Sequence, residues 1–296
     1  MFKKKFVILG AVAVMVCAIF IPQVRAAAES ALSIFRVRDT RTIRISVNDL
    51  GDMLTFINDK KMAVQQGDDM EEILSQIIKN AEPEVKTLSD VRDFKAFPFS
   101  LPAALKDETP ALSAVDSQAA SVILDTEKLN AALTGLDAAA LLDSSLNGTE
   151  ITVNTPPAIM AEYEDVQLAA TQTVYIDAPA AAMNSLRSSF LSIPAIPDGL
   201  RTQLAAIDPD TRDVYLPVIE GLGRETDLGG TTGYVYSSGD LAQVLGMLPG
   251  FADDAHLTQL QNENAAVLIW VKNGVLYCLA GEMSDSALSQ IARSVR

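Results

Sequence analysis

Hydrophobic and polar positions alternate with period two in several short stretches of this chain and repeat with helical spacing in others. In "FRVRDTRTIRISV" (residues 35–47) Phe35, Val37, Ile43, Ile45 and Val47 fall on one side, and Arg36, Arg38, Arg44 and Ser46 on the other. That alternation predicts one or two half-buried strands. Asp68 can cap a helix running to Asn80, with Glu71 and Glu72 in its first turn and Met70, Ile73, Leu74, Ile77 and Ile78 in one stripe. The stripe is read as a core-facing side, with a partner-binding face as the sharper alternative. "SVILDTEKLNAALTG" predicts a strand entering a helix, with Asp125 or Thr126 as cap and Gly135 past the end.

Further along, Asn147-Gly148 predicts a hairpin turn before a strand over residues 149–154. The tandem Pro156-Pro157 marks a candidate boundary between two lobes. A strand is expected over residues 167–176. A helix then opens at Pro179, with Met183, Leu186 and Phe190 turned inward. A short helix over 199–206, strands in "DVYLPVIE" and "TGYVYS", and helices over 241–248 and 255–261 come next. "AAVLIWVKNGVLYCLAG" is the clearest element, two apolar strands around Asn273-Gly274, a strong hairpin signal. Its unbroken apolar run over 265–271 predicts a sheet covered on both faces. Ser284 caps a last helix with Leu288, Ile291 and Ala292 on one face. Together these elements predict an α+β fold: a mainly antiparallel curved sheet with packed helices, preceded by one N-terminal apolar helix.

That first helix sets the topology. Lys3, Lys4 and Lys5 precede an apolar run over residues 6–21. Positive charge stays inside, so the residues beyond the run are carried out of the cytoplasm. As a helix the run spans roughly 24 Å, and continuing to Val24 brings it near the ~30 Å hydrocarbon layer. Pro22 breaks it before Val24-Arg25-Ala26, an acceptable cleavage site. Residues 1–26 are thus a membrane anchor or a signal peptide, and residues 27–296 form the extracytoplasmic domain, one body or two lobes divided near 155–157.

Charge narrows the partners. The chain carries −15 formally, with 23 basic and 38 acidic residues. Without Lys3, Lys4, Lys5 and Arg25, 19 basic residues remain and the exported part stands near −19. Such a surface repels nucleic acid, which is excluded as a partner. The arginines from Arg36 to Arg44 lie where the chain leaves the bilayer; headgroup contact is one reading and a solvated strand face the simpler one. Cys17 and Cys278 are too far apart in character to pair, so burial must hold the fold.

Chemistry is sparse. Asp253 and Asp254 stand near His256, the single histidine, but one His with adjacent acids reads more simply as the start of a surface helix than as a metal site. "GLGRETDLGGTTG" is glycine-rich without a Lys-Ser/Thr ending, and it reads as a loop or hairpin turn. No catalytic set, metal or cofactor site is assigned. Trp270 and Tyr277 on the last hairpin are the candidates for lining a ligand groove, with plain core packing as the simpler reading.

Three stretches carry a resemblance: "VRAAAESALSIFRVR", "TLSDVRDFKAFPFSLPAAL" and "LIWVKNGVLYCLAGEMSDSALSQIARSVR". They resemble a family of bacterial membrane-anchored extracytoplasmic domains of unknown function. That family is distantly similar to the lipoprotein-carrier and sigma-regulator-like domains found after anti-sigma-factor membrane spans. The resemblance implies a short helix before a Phe-Pro strand, a Leu-Pro-x-x-Leu turn, and a curved antiparallel sheet that can leave an apolar groove. It implies no catalytic residue. Only residues 1–5 precede the apolar run, which argues against a cytoplasmic sigma-binding head. The function expected is a non-catalytic, membrane-tethered binding or sensing module with an envelope or membrane protein partner or an apolar ligand. The alternatives are a cleaved, secreted carrier and an envelope hydrolase of unfamiliar type.

Overall fold

The computed structural model describes residues 41–63, 84–207, 213–247 and 265–295. The apolar run, Arg36 and Arg38, the helix expected over 68–80, the helix expected over 255–261 and the Asp253, Asp254 and His256 cluster lie outside these residues. Among the described residues no helix is long and apolar enough to cross a membrane.

The first half of the chain contains β1 (Arg41–Ser46), α1 (Val47–Ala63), β2 (Val85–Leu88), β3 (Ala111–Val115), β4 (Gln118–Ile123), α2 (Thr126–Gly135) and β5 (Glu150–Thr155). The ribbon strands β6 (Ala158–Glu162), β7 (Val166–Thr171) and β8 (Tyr175–Asp177) come next. They are followed by α3 (Ala180–Leu191), α4 (Asp198–Ala206), β9 (Tyr215–Glu220), β10 (Arg224–Asp227) and β11 (Thr232–Ser237). The chain closes with α5 (Ser238–Met247), β12 (Ala266–Lys272), β13 (Val275–Gly281) and α6 (Asp285–Arg293). The fold is α+β with a mostly antiparallel sheet. Eight strands order β10-β11-β12-β13-β7-β6-β3-β2, all antiparallel, and three order β4-β5-β8. The exception is β1, which pairs in parallel with β9.

The hairpin of β12 and β13 is central because it is apolar on both faces. Val267, Ile269 and Val271 enter one core, where β1, β9, α4 and α5 also place their apolar side chains. Ala266, Leu268 and Trp270 enter a second core with Leu288, Ile291 and Ala292 of α6. Alternate residues of a strand point to opposite faces, so a strand with no polar position must be covered twice. Its turn, Asn273-Gly274, has φ of 53° and 72°, the left-handed pair that suits a two-residue hairpin. Ser284 Oγ caps α6 by accepting from the Ala287 N–H, and Asp125 caps α2 by accepting from Glu127 and Lys128. A third, small core of Leu124, Leu142 and Ile151 lies under the three-stranded sheet.

Several local expectations change. The strand expected over 167–176 is two strands, β7 and β8, separated by a bend. Asn147-Gly148 is not a hairpin loop, because α2 intervenes between β4 and β5. It turns the chain out of a short 3-10 helix (Ser144–Leu146) into β5, and Gly148 N–H donates to the Leu124 carbonyl at 2.8 Å. Gly135 ends α2 from within it rather than lying past the end. In α3, Met183 is buried and Leu186 packs on the small core, but Phe190 is 38% exposed. The stretch around Phe97-Pro98 comes after a 3-10 turn (Val91–Asp93) but forms no strand. Pro98 and Pro102 have no N–H to give a ladder, so the segment packs through Phe97 and Phe99 instead.

Candidate functional site

Three strands pass from the eight-stranded sheet into the three-stranded one, as β3 into β4, β5 into β6 in the reverse direction, and β7 into β8. Their pairing keeps one register throughout. Val115 faces Ala158 in the large sheet and Gln118 faces Thr155 in the small one, the same sum of positions on both sides. On the other side Ala158 faces Thr171 and Asn154 faces Tyr175, again without a shift. The two sheets are therefore one three-stranded ribbon interrupted at a bend.

The interruption has a chemical cause. In that register the middle strand presents Pro156 and Pro157 opposite Ser117 and Asp116 on one side and Thr173 and Gln172 on the other. Proline has no backbone N–H and is excluded from the interior of a regular ladder. Two prolines in succession remove the central strand's donors to both neighbours. Thr171 bridges part of the gap by donating its hydroxyl to the Pro157 carbonyl at 3.1 Å. Beside the ribbon the β12–β13 hairpin ends at Gly274, so the strands continuing past it are no longer flanked.

A cleft of about 370 Å³ opens at this bend, lined by residues 117–119, 154–157, 172 and 173, Tyr175 and Gly274. No charged side chain lines it, in a chain of net charge −15. Three carboxamides (Gln118, Asn154 and Gln172) and the hydroxyl residues Ser117, Thr155, Thr173 and Tyr175 supply donors and acceptors. Ala119, Asn154 and Tyr175 stand side by side across the three strands. Asp116, next to the cleft, is paired with Lys86.

The residues singled out from the sequence lie elsewhere. Trp270 and Tyr277 are 1% and 3% exposed and face each other across the hairpin. Their rings stack at 5.1 Å and 7°, and Phe99 stacks on the other side of Tyr277 at 6.5 Å. Burial raises the Tyr277 phenol above its ordinary value. The pair is enclosed in the second core, beside Leu288, Ile291 and Ala292 of α6.

Arg41 and Arg44 are engaged within the fold. Arg41 pairs with Asp213 and donates to the Tyr215 hydroxyl. Arg44 donates to the Tyr234 hydroxyl at 2.6 Å, and that hydroxyl donates to Glu225 at 3.1 Å. The glycine-rich stretch spans the β10–β11 hairpin, and at its turn Asp227 accepts from the Gly229 and Gly230 N–H groups at 2.9 and 3.3 Å. A carboxylate already sits where a phosphate would have to bind. Among the described residues no group of three or more His, Cys, Asp or Glu is placed to hold a metal ion.

No family model, no curated protein and no solved structure matches this chain. The cleft thus stands on geometry alone. Its one trace in the sequence is Pro156-Pro157, which reads there as a candidate lobe boundary. Ala119, Asn154 and Tyr175 carry no motif, and their place on one face of the ribbon is a consequence of register.

Proposed function

We propose that this chain is a membrane-tethered extracytoplasmic binding module, and that its ligand sits in the cleft at the ribbon bend. The tether belongs to the basic and apolar pattern of residues 3–24. The observation that carries the binding site is the uncharged lining of the cleft within a strongly acidic chain. Ordinary surface here is rich in Asp and Glu, so a concave patch without either is a local departure. Its volume lies in the ~300–1,000 Å³ range of small-ligand sites. Relative to the groove expected from Trp270 and Tyr277, the ligand moves from an apolar to a polar neutral setting.

The interrupted ladder supports this reading. Unpaired strand positions at 116, 117, 172 and 173 offer backbone groups beside the cleft that no neighbouring strand takes up. Hydrogen exchange on the full chain tests it, with a panel of maltotriose, trialanine, inorganic phosphate and dodecylphosphocholine. Slowed exchange confined to residues 116–119 and 172–175 with any probe supports the site. Protection confined elsewhere, or none with the whole panel, overturns it.

A further inference from the structure

We propose that the cleft takes a neutral oligosaccharide, an inference that rests on the cleft being the binding site. Its lining selects against the other ligand classes in turn. An anion meets the repulsion of a −15 chain and finds no cation in the lining, while a cation finds no carboxylate there. A lipid tail would set the uncharged polar groups of the lining against hydrocarbon that offers them no hydrogen bond, at about 1–3 kcal/mol for each group left unpaired. A peptide bound by strand addition would run along one edge, β4 or β8, but the lining crosses all three strands from Ser117 to Tyr175.

A sugar fits the remaining pattern. Each ring hydroxyl both donates and accepts, and a carboxamide offers an acceptor and two donors on one rigid plane. Asn154 occupies the middle strand, with Tyr175 directly opposite on one side and Ala119 on the other. Cross-strand neighbours stand about 5 Å apart at Cβ, so an aromatic ring and an amide are held beside one another while the alanine leaves room. The apolar C–H face of a pyranose can lie on the Tyr175 ring as its hydroxyls reach the Asn154 amide beside it, using both the aromatic surface and the polar handle of that face.

Calorimetry on the full chain, in a detergent without a sugar headgroup, tests the assignment with maltotriose, cellotriose and tri-N-acetylchitotriose. Trigalacturonate and trialanine serve as charged and peptide comparisons. At least one neutral trisaccharide is expected to bind. Tyr175→Ala and Asn154→Asp should each weaken it about tenfold or more, while Tyr175→Phe stays within about threefold. Unfolding curves of each variant exclude a folding defect. Binding of only trialanine or trigalacturonate, lost in Tyr175→Ala, leaves the site standing and overturns the sugar. A trisaccharide that binds wild type, Tyr175→Ala and Asn154→Asp alike overturns the site itself. No binding by any neutral trisaccharide overturns the ligand class.

Discussion

The carboxamide of Gln203 holds both backbone groups of Arg44. Its Oε1 accepts from the Arg44 N–H at 2.7 Å, and its Nε2 donates to the Arg44 carbonyl at 2.8 Å. β1 pairs with β9 on one side only, so α4 supplies from a side chain what another strand would supply on the other. An exposed edge invites pairing with foreign chains, and this contact closes its centre.

Gln203→Leu should therefore cost about 1–3 kcal/mol in urea unfolding, because two part-buried backbone groups lose their partner. Gln203→Glu keeps an acceptor for the Arg44 N–H but loses the donor to its carbonyl. Its loss should be the smaller of the two. Equal stability of all three proteins would show that the contact contributes nothing.

The bend predicts a gap in amide protection. In native-state hydrogen exchange, the amides of Asp116, Ser117, Gln172 and Thr173 should exchange faster than those of residues 112–115 and 167–170, which lie inside ladders. Replacing both Pro156 and Pro157 by Ala returns two donors to the middle strand without altering the register set on either side. Protection at the bend should rise, and the cleft should narrow as the ladder closes. Unchanged exchange would mean that something other than the missing N–H groups opens the ribbon.

Trp270 is the single tryptophan, so intrinsic fluorescence reports one place in the core. Emission should be blue-shifted and resist acrylamide quenching. Trp270→Ala should cost about 3–5 kcal/mol in denaturant unfolding. Solvent-like emission in the folded protein would contradict its enclosure by Tyr277 and α6.

Tyr163 gives a pH signature. Burial, with a smaller contribution from Glu108, pushes its phenol up to about 12, against 10.0 ordinarily. Among the described residues its hydroxyl has no hydrogen-bond partner. The raised value in the folded state means the neutral phenol is favoured by folding, so its contribution is intact below pH 10. It is lost as pH climbs from 10 towards 12, where only the unfolded chain ionises. Stability measured by urea midpoint should fall across that window, and less steeply in Tyr163→Phe. At pH 7 that variant should match or exceed wild type, since it removes an unsatisfied buried hydroxyl.

Topology is open to a direct assay. On the proposed topology, with the basic residues Lys3, Lys4 and Lys5 inside, alkaline phosphatase fused after Arg296 should be active. Mass spectrometry of the mature N-terminus separates tether from carrier: Met1 or Phe2 retained marks the anchored form, a start at Ala27 the secreted one. An inactive phosphatase fusion in a chain that is made and folded would remove the exported placement altogether.

Local interactions wrote much of this fold into the residue order. The β12–β13 hairpin was legible because Asn273-Gly274 suits left-handed φ values and its turn joins neighbours in sequence. The caps Asp125 and Ser284 were legible because each satisfies N–H groups within three residues. The double coverage of residues 265–271 came from their unbroken apolarity. Partnerships between distant segments were not legible. That β1 would pair in parallel with β9, or that β3 and β4 would share one register with β6 and β5, depends on which competing edges are filled when the chain closes. For Trp270 and Tyr277 the residue order favours core over ligand surface, and the cover supplied by Phe99 and α6 comes from segments distant in sequence. The cleft is the extreme case: its amides and hydroxyls are ordinary residues from three strands and a hairpin tip. Only the tertiary register, interrupted where two prolines cannot donate, brings them to one place.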